Sequence, residues 1–252
     1  MAFSHALGAV LTLVLVSAPA WGQLTENEQV CQQAVAKQAA SFADKKIKCL
    51  IMCDKRALKG KAPNAECTPP YSGKTLDCVT KAESKAQEAV VKPCAPDCPE
   101  CYADGDCTAF MSSVVSSIEA AVDGVVPLVR CDDSTSPDGL TKGEATVRQK
   151  VALTIGKFVS GSEKCLAKCR KGEAGGKIPA GSCEYVNVTD SKTIDCLIKT
   201  GAKALDYVED PDLDAPECLE PELTFALPSA SGLIEQSDPL IFCGSPSGAF
   251  VD

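Results

Sequence analysis

Apolar positions recur along the chain at spacings of three, four and seven, as they do on one face of an α-helix. In the first half this pattern runs from Cys31 to Cys53 and follows the capping-box signal Thr25-x-x-Glu28. A polar loop containing Gly and Pro comes next. A second helix is then predicted from Ser72–Thr75 onward, ending at Pro93. The pattern predicts a helical hairpin.

A third helix is predicted over residues 108–122, where Met111, Val114 and Ile118 share one face. Its counterpart after Cys218 is expected to be degraded, because Pro228 and Gly232 interrupt it. Alternating runs typical of β-strands are absent from the sequence. We therefore expect an all-α protein of two tandem, disulfide-stapled helical-hairpin modules, with an extra helix in the first module.

The chain contains sixteen cysteines, and one spacing of them occurs twice. The two copies are Cys49-x3-Cys53-x13-Cys67-x10-Cys78 and Cys165-x3-Cys169-x13-Cys183-x12-Cys196. Aligning Cys49 with Cys165 needs no gap from Val30 to Cys67. This internal duplication predicts a first module over residues 23–132 and a second over residues 133–252.

The spacing predicts how each hairpin is cross-linked. Cys49 and Cys53 lie one helical turn apart, about 6 Å along the axis. Cys53 is near the loop and can reach Cys67, whereas Cys49 faces Cys78 just inside the second helix. The predicted bridges are Cys49–Cys78 and Cys53–Cys67 in the first module, and Cys165–Cys196 and Cys169–Cys183 in the second.

The remaining cysteines of the first module lie farther from the hairpin loop. Cys31 lies about 27 Å along the helix from Cys49, and Cys98 about 30 Å beyond Cys78. Cys31 is therefore expected to pair with Cys98 or Cys94, and the set is completed by Cys31–Cys98, Cys94–Cys101, Cys107–Cys131 and Cys218–Cys243. The Cys107–Cys131 bridge requires the chain to turn back near Gly124 or Pro127, since a straight helix would separate the two cysteines by about 36 Å.

The first 22 residues are typical of a signal peptide: an uncharged apolar run is followed by the small-residue cleavage sequence Ala18-Pro19-Ala20. Many cysteines are typical of proteins in oxidising compartments. We therefore expect a secreted protein, either extracellular or periplasmic, with no membrane span. Asn187-Val188-Thr189 would be a glycosylation sequon in a eukaryotic secretory pathway.

The charge and the histidine content narrow the function classes. A net charge of −9 argues against nucleic acid as a partner. The single histidine, His5, lies in the signal peptide, so the mature chain cannot form a Ser-His-Asp triad or a histidine-ligated metal site. We expect no enzyme, no catalytic residues and no cofactor.

One cluster offers an alternative chemistry. Cys94, Cys98, Cys101 and Cys107 could supply four thiolates to zinc or to an iron–sulfur cluster. Cys98-Pro-Glu-Cys101 is also a C-x-x-C sequence, the spacing of a redox dithiol. A metal-thiolate or thiol-redox protein is thus the alternative to a structural role for these cysteines.

The repeated motif resembles a known group. Lys48-Cys49-x3-Cys53 with Thr75-Leu76-Asp77-Cys78, and its second copy around Cys165 and Cys196, resembles uncharacterised exported, cysteine-rich helical repeat proteins of environmental bacteria. A looser similarity is to the twin C-x3-C hairpins of the mitochondrial intermembrane space, where a second C-x3-C replaces the single facing cysteines. The first resemblance implies export and a helical fold, and it provides no known activity that could be carried over to this chain.

The combined expectation is an exported, disulfide-rich structural or binding protein without enzymatic activity, whose partner is a protein or a small molecule. A secreted inhibitor or effector would fit the same scaffold.

Overall fold

The computed structural model describes residues 25–96, 98–99, 101–102, 106–130, 141–208, 210, 215–216 and 219–242. These residues form α-helices joined by loops and two short 3-10 helices, with no strand among them. The helices are α1 (Glu26–Ala57), α2 (Gly73–Val91), α3 (Cys107–Arg130), α4 (Lys142–Ala174), α5 (Ser191–Val208) and α6 (Glu220–Phe242). The predicted all-α class is confirmed.

Two parts of the predicted domain plan lie outside the described residues. They are the signal peptide, residues 1–22, and the module boundary at residues 132 and 133. Among the described helices, none combines the length and the apolar character needed to cross a bilayer.

The two longest helices begin with the same capping box. Thr25 accepts the backbone N–H of Glu28 at 3.2 Å, and the Glu28 carboxylate accepts the Thr25 N–H at 2.6 Å. Thr141 and Glu144 repeat this arrangement at the start of α4, at 3.2 and 2.7 Å. Each box satisfies two of the N–H groups that a helix N-terminus leaves without an intrahelical partner.

Helices α1, α4, α6 and α3 form a ring in which each packs against the next, and α3 closes the ring on α1. The hairpin partners stand outside this ring: α2 packs on α1 and α3, and α5 packs on α4. Because each outer helix covers a side of the ring, α1 and α4 are largely enclosed. The result is a four-helix bundle with two flanking helices.

The core continues across both predicted modules. Ile241 and Phe242, at the end of α6, are buried with Val35 of α1 and Met111 of α3. Val125 of α3 in turn is buried with side chains of α4 and α6. The apolar side chains of the two modules therefore stabilise each other.

Four disulfides join the hairpins, and they are the four that the helical spacing predicts. Cys49–Cys78 and Cys53–Cys67 tie α2 and the preceding loop to α1. Cys165–Cys196 and Cys169–Cys183 do the same for α5 and α4.

Helix α6 corrects the expectation that the third helix is lost in the second module. It continues through Pro228 and Gly232 to Phe242. Leu227, Ala230 and Ile234 are buried on one face of this helix, and that burial outweighs the hydrogen bond lost at Pro228. The extra helix predicted for the first module alone thus has a counterpart.

A buried lysine attaches α3 to α1. The Lys46 ammonium is fully buried and lies 3.0 Å from the Glu119 carboxylate and 2.7 Å from that of Asp123. It also donates to the Glu119 carbonyl at 3.1 Å and lies 5.0 Å from the centre of the Tyr71 ring. The Tyr71 hydroxyl donates to Asp123. Three oxygens satisfy the ammonium's three donors, as a buried charge requires.

A pair of glycine substitutions should reveal the close approach of α5 to α4. A Cβ on Gly161 would lie 2.7 Å from Thr200 Cγ2, whereas a Cβ on Gly124 would have no neighbour within 4 Å. Gly124→Ala should raise the free energy of unfolding by about 1 kcal/mol through helix propensity. Gly161→Ala gains the same propensity but displaces Thr200, so it should be about 1–3 kcal/mol less stable than Gly124→Ala in urea denaturation with the disulfides intact. Equal stability of the two variants would contradict this packing.

Candidate ligand-binding cavity and the paired disulfides

The centre of the bundle contains a cavity of about 130 Å³ between α1, α3, α4 and α6. Its lining is almost entirely apolar. The walls are Ala39, Ala40, Ala43 and Ile47 of α1; Val114, Ser117, Ile118, Ala121, Val122 and Val125 of α3; Ala152, Ile155, Val159 and Glu163 of α4; and Leu233, Ser237 and Leu240 of α6. Both predicted modules supply walls, so neither could form the cavity alone.

Side-chain size explains why the space stays open. The α1 wall contributes Ala39, Ala40 and Ala43, whose methyl groups cannot fill the distance to the facing helices. Larger branched residues such as Ile155 and Val159 stand on the α4 wall at helical spacing. A cavity of roughly 150 Å³ with an aliphatic lining is known to hold a molecule the size of benzene.

The cavity reaches the surface between α3 and α6. Ser117 of α3 and Leu240 of α6 both line it, and both are solvent-exposed. Leu240 has 47% of its surface exposed. A small molecule therefore has a route into the bundle at this edge.

Glu163 places a carboxyl group in the otherwise apolar lining. The residue is only 4% exposed. Its Oε1 accepts the Ser237 hydroxyl at 2.6 Å, while Oε2 has no hydrogen-bond partner among the described residues. Burial raises the pKa of Glu163 to about 7; the Ser237 hydrogen bond opposes the rise and the charge of Asp238 adds to it.

A buried ionic cluster lies next to this carboxyl group. Arg170 donates to Asp238 at 3.0 Å and to Glu173 at 3.2 Å, and its guanidinium stands 5.6 Å from the centre of the Phe242 ring. Burial raises the pKa of both Asp238 and Glu173, although Arg170 opposes it in each case. The Arg170 guanidinium thus forms ion pairs with both carboxylates.

The aligned position in the first module is apolar. When Cys49 is aligned with Cys165, Ile47 stands opposite Glu163. Both side chains line the cavity. Helix α1 therefore has an apolar isoleucine at the position where α4 has the carboxyl group, so only the α4 wall of the cavity carries a carboxyl group.

The observed disulfides of the remaining cysteines in the first module differ from the predicted ones. Cys31 is bonded to Cys94, the second of its two expected partners, and not to Cys98. The reason is geometric: the Cys94 N–H still donates to the Val90 carbonyl, which continues the helical turn beyond α2. Cys94 therefore stays on the helical turn at the end of α2, about 24 Å along the axis from Cys78, whereas Cys98 lies beyond that turn in the following loop.

Two further predicted bridges are wrong. Cys107 is bonded to Cys98 and not to Cys131, because α3 runs straight past Gly124 and carries the chain away from Cys107. Cys94 is not bonded to Cys101, which forms a disulfide outside the six described bridges. The predicted Cys218–Cys243 bridge lies outside the described residues.

These bridges meet in the core. Cys31 Sγ lies 3.3 Å from Cys107 Sγ, and the sulfur atoms of Cys31, Cys94 and Cys107 lie within 4.8 Å of one another. Neither sulfur of the 3.3 Å contact bears a proton, since both belong to disulfides. Cysteines of the predicted thiolate cluster thus do lie close together, and Cys31 joins them. The described members of the cluster are all in disulfides, so they do not offer the thiolates that zinc binds.

No protein-family model, curated protein or solved structure matches this chain. The interpretation of the cavity therefore depends on its own residues.

Exchanging Glu163 for glutamine should change how stability varies with pH. The folded protein holds the Glu163 proton up to about pH 7, whereas the unfolded chain releases it near 4.5. The native state therefore binds more protons between these values, and its stability falls as the pH rises through them. Glu163→Gln should match the wild type at pH 4 and exceed it by on the order of 3 kcal/mol at pH 8. Urea denaturation at both pH values measures this, and a constant difference would contradict it.

Proposed function

We propose that this chain is an exported, disulfide-stabilised binding protein without catalytic activity, and that it holds a small apolar molecule in the central cavity. The observation that carries the proposal is the cavity of about 130 Å³ with its apolar lining and its exposed edge at Ser117 and Leu240. Apolar concave sites with a few polar groups are the usual form of small-molecule sites.

The other features of the chain support the same proposal. Disulfides suit an oxidising compartment, which agrees with export by the predicted signal peptide of residues 1–22. The internal duplication also supports the binding proposal, because α1 and α3 supply one half of the cavity and the aligned α4 and α6 supply the other. The absence of histidine from the mature sequence supports a role in binding rather than in catalysis.

Neighbouring alanines on α3 offer a matched test. Ala121 lines the cavity, whereas Ala120 is exposed and does not. Ala121→Phe should occupy the space a ligand would take, and Ala120→Phe adds the same group to the outer surface. Toluene, whose size suits the cavity, should bind the wild type and Ala120→Phe alike in isothermal titration calorimetry, and bind Ala121→Phe at least tenfold more weakly. Circular dichroism of each variant verifies that it is folded.

The proposal fails if the wild type does not bind this probe. It also fails if the two phenylalanine variants bind the probe equally, because binding would then occur elsewhere on the surface.

A second candidate function is favoured by the 3.3 Å approach of Cys31 to Cys107. If an external dithiol reduces one of these two disulfides and is itself oxidised, the released thiolate could attack the neighbouring disulfide and displace one of its sulfurs as a thiolate. Reduction of both disulfides would supply thiolates that could bind zinc together. This is the metal-thiolate or thiol-redox alternative, now including Cys31 beside Cys94, Cys98 and Cys107.

Alkylation of the unfolded protein without a reductant distinguishes the two candidates. With all described cysteines in disulfides, iodoacetamide should leave the mass unchanged, and non-reducing peptide maps should contain Cys31–Cys94 and Cys98–Cys107. Two or four alkylated thiols within residues 94–107, or zinc or iron retained by the purified protein, would instead support the metal-thiolate or redox function.

A further inference from the structure

We infer that the molecule held in the cavity is an apolar amine, whose ammonium group is bound by the Glu163 carboxylate and whose hydrocarbon part fills the alanine-lined space. This inference rests on the proposed binding function and specifies the chemical class of its ligand.

The first support is a missing hydrogen bond. Glu163 lines the cavity and is almost fully buried, yet only Oε1 has a partner, the Ser237 hydroxyl at 2.6 Å. Oε2 has none among the described residues. A buried polar atom without a partner is unfavourable by about 1–3 kcal/mol, and more if it is charged. A donor on a ligand inside the cavity would satisfy it.

The second support is the balance of charge. The guanidinium of Arg170 already contacts Asp238 and Glu173. Once Glu163 is ionised, the negative charge of Asp238 repels it. The described residues that line the cavity include no basic side chain, so no further cation offsets the charge of Glu163. The groups facing Glu163 are thus Ser237 and Asp238 of α6, with Arg170 and Glu173 two or more turns along α4. One additional positive charge would neutralise the site.

Comparison of head groups selects the amine. A carboxylate ligand would place like charges together in a water-poor site, where their repulsion is strong. An alcohol would donate one hydrogen bond but leave the charge of Glu163 uncompensated. An ammonium group both donates to Oε2 and compensates the charge, and charge-assisted hydrogen bonds are about twice as strong as neutral ones.

The rest of the cavity determines the hydrophobic part. Ala39, Ala43 and Ile155 offer no hydrogen-bonding side chain to a ligand, so the molecule should be hydrocarbon beyond its amino group. The exposed edge at Leu240 lets an alkyl chain extend toward solvent. A simple linear alkylamine meets these requirements.

Three linear probes of eight carbon atoms each test the inference. Octylamine, octan-1-ol and octanoate are each titrated into the mature protein by isothermal calorimetry at pH 8, where Glu163 is ionised. Octylamine should bind at least tenfold more tightly than octan-1-ol, which corresponds to about 1.4 kcal/mol, and octanoate should bind most weakly.

Two variants separate the carboxylate from general attraction of a cation to an acidic protein. Glu163→Gln should weaken octylamine about tenfold and leave octan-1-ol unchanged. Glu88→Gln removes the same charge from an exposed position on α2, which does not line the cavity, and should alter neither affinity. An equal loss in both variants would overturn the inference.

A measurement on the wild type gives the same test without any substitution. An alkylammonium group remains charged well above pH 8, as lysine does, whereas Glu163 becomes neutral below about pH 7. Octylamine should therefore bind several-fold more weakly at pH 5 than at pH 8, while octan-1-ol should bind equally at both.

The outcomes distinguish the inference from the function beneath it. If octylamine and octan-1-ol bind equally well to the wild type, the amine assignment is wrong and the apolar binding function stands. If neither toluene nor any of the eight-carbon probes binds, the binding function itself is wrong.

Discussion

The antiparallel packing of α1 against α4 is the contact on which the rest of the structure depends. It extends along both helices: the Gln33 amide donates to the Ala167 carbonyl at 3.0 Å near one end, and Arg148 approaches Asp54 at 3.6 Å near the other. Midway, a Cβ on Gly156 would lie 3.0 Å from Ile47, which shows how closely the helices approach. Each helix then carries its own disulfide-bound partner and contacts a third helix, so this contact and that between α3 and α6 join the two halves.

This antiparallel arrangement also places the cavity where it is. Helices α3 and α6 run antiparallel as well, since Met111 is buried with Phe242 whereas Val125 is buried with Leu227. Because α1 and α4 are aligned and antiparallel, as are α3 and α6, an approximate two-fold axis relates the two members of each pair. Aligned residues meet near such an axis, and the aligned pair Ala43 and Val159 does line the cavity together. Because one member of that pair is only an alanine, space remains at the centre.

Much of the fold could be predicted from sequence because it follows from helical repeats. The rise per residue placed Cys49 opposite Cys78, and the Thr25–Glu28 capping box marked the first residue of α1. The segment before Cys107 has no such periodicity, so its bridges could not be derived. Glu163 was missed because a single glutamate in a long amphipathic helix is ordinarily solvated. The one available signal in the sequence was its alignment with the apolar Ile47. The structure explains this signal, because both residues are buried.

The cavity and the disulfides are best understood together. An unfilled space of this size is unfavourable by about 3 kcal/mol at roughly 24 cal/mol per Å³, and the buried carboxyl group adds to it once ionised. Each disulfide contributes about 2–4 kcal/mol, mainly by restricting the unfolded chain. None of the cysteines in the six described bridges lines the cavity. The cross-links therefore stabilise the fold without occupying the cavity, and the lining residues remain free to suit a ligand rather than to complete the core.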